Sequence, residues 1–191
     1  MMSMDPTTKT DAELVADTLA GDREAFGTLY DRHARYVRAV VAAVSCDWSA
    51  VDDMTQECFL RAYRKIDSLR DRNQVGPWLA GFARQVARER RRTLRRDRHE
   101  FGTVADQVAA GNGELTTDDR ERIDQVMQRL AELPEDERLA IHAYYFSDEN
   151  ATDAANHLQL SRSGLYARLK RALANLATRP QSPRSQRETT K

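Results

Sequence analysis

Apolar residues recur at helical spacing along almost the whole chain, and that regularity points to an all-α architecture. Asp22 is suited to cap a helix, and Phe26, Leu29, Tyr30, His33, Val37, Val40, Val41 and Val44 follow it at i, i+3, i+4, i+7 intervals. Val51, Met54, Cys58, Ala62 and Ile66 form a second stripe, widened by Phe59 and Tyr63, behind a Ser49/Asp52 capping box. Gly76-Pro77 breaks the chain, and Pro77 suits the first turn of a third helix with Trp78, Leu79, Phe82 and Val86 on its apolar face. Five Pro and eight Gly among 191 residues leave little turn-forming material for an all-β alternative.

The periodicity lapses over residues 97–118, which hold three Gly and many small polar residues. It returns at Ile123, Val126, Met127 and Leu130. Leu133-Pro134 then reads as a helix stop, and Glu135, Asp136 and Glu137 as the acidic first turn of a restart continued by Leu139, Ala143 and Tyr144. The expected organisation is two small helical domains, 10–96 and 119–177, joined by a flexible linker at 97–118. A disordered basic tail is expected at 178–191, where Pro, Ser, Arg and Gln dominate.

Charge is balanced in total, at thirty Lys+Arg against thirty Asp+Glu, but strongly segregated. Asp47, Asp52, Asp53 and Glu57 share a stretch that contains no base. Eight Arg lie between Arg84 and His99. Seven Lys/Arg and no acid lie between Arg162 and Arg187. Two basic surfaces on a neutral chain fit a polyanion held at two points.

Several classes are excluded. No apolar run approaches the roughly 20 residues of a membrane span, and the first residues lack the apolar core of a secretory signal. A cytoplasmic location is therefore expected. Cys46 and Cys58 form neither a disulfide scaffold nor a CxxC motif, and read as small apolar fillers. None of His33, His99, His142 or His157 has a Glu three residues before it, so the Glu-x-x-His pattern of helical di-iron sites is missing. Phosphate-loop, nucleophile-elbow and zinc-protease motifs are missing as well. No cofactor, metal or catalytic residue is expected.

The C-terminal part carries a helix-turn-helix pattern. Asn150 to Asp153 opens a helix through Leu158, Gln159-Leu160 makes a tight turn, and Ser161 caps a second helix with Leu165, Leu169, Leu173 and Leu176 on one face. Ala155 permits the two helices to approach closely. Arg162, Tyr166, Arg168, Lys170 and Arg171 surround the rest of the second helix, as base-edge and phosphate contacts require. The free N–H groups near Ser161 suit a phosphate. Asp53, Gln56, Glu57 and Leu60 share a face of the earlier helix. From spacing alone that face reads as a solvated acidic surface.

Three motifs together resemble a known family. DDMTQECFLRAY is similar to region 2.2 of bacterial sigma factors of the extracytoplasmic-function (ECF) group. PWLAGFARQVARERRRTLRR is similar to regions 2.3–2.4. LPEDERLAIHAYYF followed by SRSGLYARLKRAL is similar to region 4 and its recognition helix. The resemblance is to a divergent member, with Gln85, Ala80-Gly81, Glu149, Ala154 and Tyr166 standing where the family commonly has other residues.

It implies a transcription initiation factor. Asp53, Gln56, Glu57, Leu60 and Arg61 would dock on the β′ clamp helices of core RNA polymerase. Arg84, Gln85, Arg88, Arg91, Arg92 and Arg95 would engage the −10 promoter element, with Trp78 and Phe82 left to the core. Ser161, Arg162, Ser163, Tyr166, Arg168, Lys170 and Arg171 would face the −35 element. The family often adds an anti-sigma partner, expected between the domains or over the polymerase-binding face. The alternatives are a helix-turn-helix regulator that binds DNA without polymerase, and a sigma-like protein-binding adaptor. Dependence of promoter recognition on core polymerase separates them.

Overall fold

A computed structural model describes residues 9–96, 116–146 and 150–177. The expected tail, nearly all of the expected linker, Glu149 and the side chain of Arg95 lie outside the described residues. Every regular element among the described residues is helical.

The N-terminal unit is built on helix α2, Arg23–Ser45. Asp22 caps it as expected, its carboxylate accepting from the backbone N–H of Glu24 at 2.9 Å and of Ala25 at 3.3 Å. The helix ends where Cys46 turns into the left-handed region at φ 55°. A shorter helix, α1 (Asp11–Leu19), packs against it. It opens with a capping box, Glu13 N–H donating to the Thr10 hydroxyl and Thr10 N–H to the Glu13 carboxylate.

The box expected at Ser49/Asp52 is not formed. Asp47 takes both the N–H and the hydroxyl of Ser49, at 3.2 and 2.5 Å, and so caps a 3₁₀ turn at Trp48–Ala50. Helix α3 (Val51–Arg64) therefore starts without a side-chain cap. Helix α4 (Val75–Arg96) has Pro77 in its first turn, where the missing N–H costs nothing. Leu79, Ala80, Ala83, Val86 and Ala87 bury its inner face against α2 and α3.

The C-terminal unit has four helices: α5 (Thr117–Glu132), α6 (Glu135–Tyr145), α7 (Ala151–His157) and α8 (Arg162–Ala177). Thr116 caps α5, Asn150 caps α7 and Ser161 caps α8, whose Gly164 N–H donates to the Ser161 hydroxyl at 3.0 Å. Leu165 and Leu169 are buried as expected, but Leu173 is 46% exposed and Ala172 holds the inward position instead. The reason is the 3.6-residue turn. Seven residues from Leu165 nearly close two turns, whereas eight overshoot by most of a quarter turn. Val126, expected on an apolar face, is 51% exposed for want of a partner helix on that side of α5.

The two units are docked. Helix α6 lies along α2, and Leu139 of α6 belongs to the N-terminal core. That explains why residues 39–45 of α2 are buried on every side. The run Ala39-Val-Val-Ala-Ala-Val44 is buried between the N-terminal core and helix α6.

Candidate nucleic-acid interface

Helix α3 presents the acidic face outward. Asp53 and Gln56 are exposed, Leu60 is 50% exposed, and Glu57 and Arg61 are partly covered. Arg61 is held inward. Its guanidinium donates to Glu57 of its own helix at 2.7 Å and to Glu89 of α4 at 2.8 Å. Those two hydrogen bonds raise the Arg61 pKa, and the one from Arg61, helped by Gln85, lowers that of Glu89. Arg61 therefore braces α3 on α4, and Asp53 is left as the acid of this face without an ion-pair partner among the described residues.

Beside the acids runs an apolar ridge, of which sequence reading assigned Leu60 to the docking face and left Tyr30 and Tyr63 to the apolar stripes. Tyr30, Leu60 and Tyr63 are exposed on it. Phe26 and Phe59 support them, with ring centroids 4.9 Å apart for Phe26–Tyr63 and 4.6 Å for Tyr30–Phe59. The exposure of Leu60 on the same helix face as Asp53, with Tyr30 and Tyr63 open beside it, marks an interaction surface better than the charges alone.

On α4, Arg88 and Arg92 point away from the buried alanines, and Arg84 and Arg91 flank them. Arg88 and Arg92 are exposed, and Arg84 and Arg91 partly so. Gln85 is exposed but leans on Glu89, its amide donating at 3.0 Å. Arg88 is engaged across the units, donating to Glu135 of α6 at 2.8 Å. Arg90, on another side, is structural. It pairs at 3.1 Å with Asp47, whose carboxylate is almost fully buried. Trp78 and Phe82 pack edge to face on each other against the N-terminal core, as expected of core residues.

On α8, Arg162, Ser163, Tyr166, Lys170 and Arg171 are exposed. Arg168 is half-buried and faces Asp136 of α6 at 3.8 Å, which discounts its charge. Ser161 is exposed, with its hydroxyl committed to the helix cap. The Tyr166 ring lies edge-on to Tyr144, and its proximity raises the Tyr144 pKa. The helix-turn-helix geometry thus leaves a basic, partly aromatic surface open along one side of α8.

Sequence reading missed the side chains that join the units. Arg138 is 4% exposed, and its guanidinium donates to Ala43 O at 2.6 Å, to Ala131 O at 3.0 Å and to Leu133 O. These carbonyls lie near the C-terminal ends of α2 and α5, where a cation is favoured. His142, 2% exposed, stacks on Trp48, and its Nδ1 has no hydrogen-bond partner among the described residues. Burial, aided by Arg138, pushes its pKa down to about 4. His157 stacks on Tyr36 at 4.1 Å, and the Tyr36 hydroxyl donates to His157 O at 2.9 Å. Cys58 is a buried filler, its thiol pushed up to about 12 by burial.

Among the described residues no group of three His, Cys, Asp or Glu could hold a metal ion. No helix among them is long and apolar enough to cross a membrane.

The family described as sigma-70 region 2 matches residues 29–97, the stretch from α2 through α4. The ECF RNA polymerase sigma factor SigM of Mycobacterium tuberculosis is 30% identical over 169 residues, covering 88% of this chain and 84% of that protein. The RNA polymerase sigma factor NccH of Alcaligenes xylosoxydans xylosoxydans is 29% identical over 90% of this chain and 95% of its own length. The probable RNA polymerase sigma factor RfaY of Xanthomonas campestris pv. campestris is 30% identical over 82% of this chain, which spans 40% of that longer relative. Among solved structures, CnrH in complex with the cytosolic domain of CnrY matches with a TM-score of 0.58 at 23% identity, covering 88% of this chain and 95% of that one, and shares the fold. The chain belongs to the ECF group of the sigma-70 family of RNA polymerase sigma factors, transcription initiation factors that act with core RNA polymerase at promoter DNA.

Proposed function

We propose that this sigma factor docks on the β′ clamp helices through Asp53, Gln56, Glu57 and Leu60, with Arg61 holding the docking helix in place from behind. The observation that carries this is an open acidic face on α3 with an apolar ridge beside it, held against the basic helix α4 through Arg61. Carboxylate and amide acceptors set register on a polar helical partner, while Leu60 and the ridge supply apolar area.

Arg84, Gln85, Arg88, Arg91, Arg92 and Arg95 then follow the strand at the −10 element. Ser161, Arg162, Ser163, Tyr166, Lys170 and Arg171 face the −35 element, with Arg168 a weaker phosphate contact because of Asp136. Residues 10–96 and 119–177 work as the two promoter-binding domains, joined by 97–118 and followed by the tail at 178–191. The chain acts by binding alone, in the cytoplasm where the polymerase works. An anti-sigma partner, expected of the family, would act by covering the acidic face or by wedging between the two domains.

The test is charge reversal. Asp53→Lys with Glu57→Lys is expected to weaken core polymerase binding by roughly 100-fold or more, since like charges set against each other cost several kcal/mol. Helicity should stay close to the parent and melting should fall only slightly, because the Glu57–Arg61 pair that is lost is partly exposed and Arg61 keeps Glu89. Unchanged polymerase affinity would remove the docking assignment. Tight DNA binding with no polymerase binding by the parent would favour an independent regulator.

A further inference from the structure

We propose that Tyr166, with Ala167 beside it, reads thymine in the upstream promoter element through the C5-methyl group, so that the middle of the α8 surface selects its base by apolar contact. This deepens the functional reading above and rests on its assignment of α8 to the −35 element.

Ser163, Tyr166, Ala167 and Lys170 are spaced i, i+3, i+4, i+7 and so share one face of α8. All four are exposed, while Leu165, Leu169 and Ala172 are buried on the other side. Tyr166 and Ala167 fall within the first two turns of α8. In a helix-turn-helix, the N-terminal residues of the second helix are the ones that reach base edges.

The middle of that face carries no cation. Arg162 stands one turn before Tyr166 and Lys170 one turn after it, each roughly 6 Å away along the helix axis. Arg168 faces Asp136 at 3.8 Å. Guanine is commonly read by a bidentate guanidinium on O6 and N7, and Tyr166 has none to offer. Its ring and the Ala167 methyl match a different group in the major groove, the thymine C5-methyl. Ala167 is short enough to let that methyl approach the ring.

The ring is also braced in advance. Tyr166 is 45% exposed, but it lies edge-on to Tyr144 of α6 with centroids 6.1 Å apart. Tyr144 in turn lies edge-on to Tyr145 at 4.9 Å. The charge of Tyr166 and a hydrogen bond with it raise the Tyr144 pKa, so the two phenols are linked as well as their rings. A tyrosine has only two side-chain torsions to fix on binding, and here the contact with α6 limits them before DNA arrives.

The test uses the full chain assembled with core polymerase. The holoenzyme selects promoters from a library randomised in the upstream element. Each thymine of the selected element, on either strand, is then replaced by deoxyuridine, which lacks only the methyl. The parent is expected to select thymine at one or two pairs and to bind the deoxyuridine duplex about fourfold more weakly there, the effect of one buried methyl group. The thymine-to-deoxyuridine ratio is taken within each variant, so a change in overall affinity does not mimic it. Tyr166→Phe should keep the ratio, because the contact needs the ring and not the hydroxyl. Tyr166→Arg should bring it to about one and move selection at that pair to guanine. Ala167→Gln should lower it by filling the space beside the ring.

A selected element without thymine overturns the inference, as does a ratio near one throughout the parent's element. So does a ratio that survives Tyr166→Arg or is lost in Tyr166→Phe. A ratio untouched by Ala167→Gln removes Ala167 from the contact. A holoenzyme with no preference at all in the upstream element fails differently: the assignment of α8 to the −35 element falls, and this inference with it.

Discussion

The two units present basic helices on cores of different kinds. The N-terminal core is large-residue packing: Leu14, Leu29, Tyr36, Leu79 and the valines of α2 are all essentially inaccessible. The C-terminal core has ten buried apolar residues, of which five are alanines. At ~25 cal/mol per Å² of apolar surface removed from water, the alanines contribute little. The C-terminal unit also sinks Leu139 into its neighbour and satisfies Arg138 partly through α2. The C-terminal unit therefore draws the larger share of its stability from docking.

The largest expected effect tests that contrast directly. Leu165 is fully buried at the centre of the smaller core. Leu165→Ala is expected to cost about 3 kcal/mol, within the usual range for such truncations. Hydrogen exchange should show α5 to α8 losing protection while α2 to α4 keep theirs. Equal loss in both units would show that they form one cooperative body and would remove the contrast.

The second effect is smaller and depends on pH. His142 is buried neutral against Trp48, with Arg138 as the charge beside it. Its pKa is about 4 when docked, against an ordinary 6.5. A group with a depressed pKa favours the docked state fully above pH 6.5, and that contribution is lost as the pH falls towards 4. Between pH 7 and 5 the docking equilibrium should shift towards open by up to roughly 20-fold, about 1.8 kcal/mol. The Asp11 and Glu89 carboxyls have lowered pKa values. For Asp11 burial raises it, but hydrogen bonds from His33 and Arg32 outweigh that, and for Glu89 the cause is Arg61. They keep their charge through this window. Scattering across the range, repeated with His142→Leu, checks the assignment: a shift that persists in the variant belongs to another group.

What the sequence made legible was local. Asp22, Pro77, Asn150 and Ser161 act within a few residues of themselves, so their roles can be read without knowing the fold. The acidic face of α3 and the basic face of α8 follow from helical periodicity in the same way. The seam is different in kind. Tyr36, Arg138 and His142 acquire their roles from surfaces more than sixty residues apart in the chain, and no short-range pattern encodes that pairing. One signal was available: the run from Ala39 to Val44 is apolar on every helical face and needs two partners. Arg61 shows a similar limit. Its place on the acidic face suggested a contact for polymerase, but Glu89 on another helix claims it.

The smallest expected effect lies in the turn between α7 and α8, where the C-terminal unit carries a strain of its own. Gln159 holds φ 56°, a left-handed conformation that a residue with a Cβ adopts at a cost of roughly 1–2 kcal/mol. The conformation is enforced by the turn, in which Gln159 N–H donates to Asn156 O at 2.9 Å and Leu160 N–H to Ala155 O at 2.8 Å. Glycine removes the Cβ penalty but gives the unfolded chain more freedom, which offsets part of the gain. Gln159→Gly should therefore stabilise the C-terminal unit by only about 0.5–1 kcal/mol, a rise of a few degrees in its melting midpoint. The exposed side of α8 is untouched, so the salt dependence of upstream-duplex binding should match the parent. Lys170→Ala with Arg171→Ala should instead flatten that slope by about 1.8, at roughly 0.9 for each phosphate no longer neutralised. Gln159→Gly thus sharpens the comparison between the units, raising the weaker one without moving the surface that reads DNA. A drop in stability would mean that the Gln159 side chain makes a contribution larger than its backbone strain.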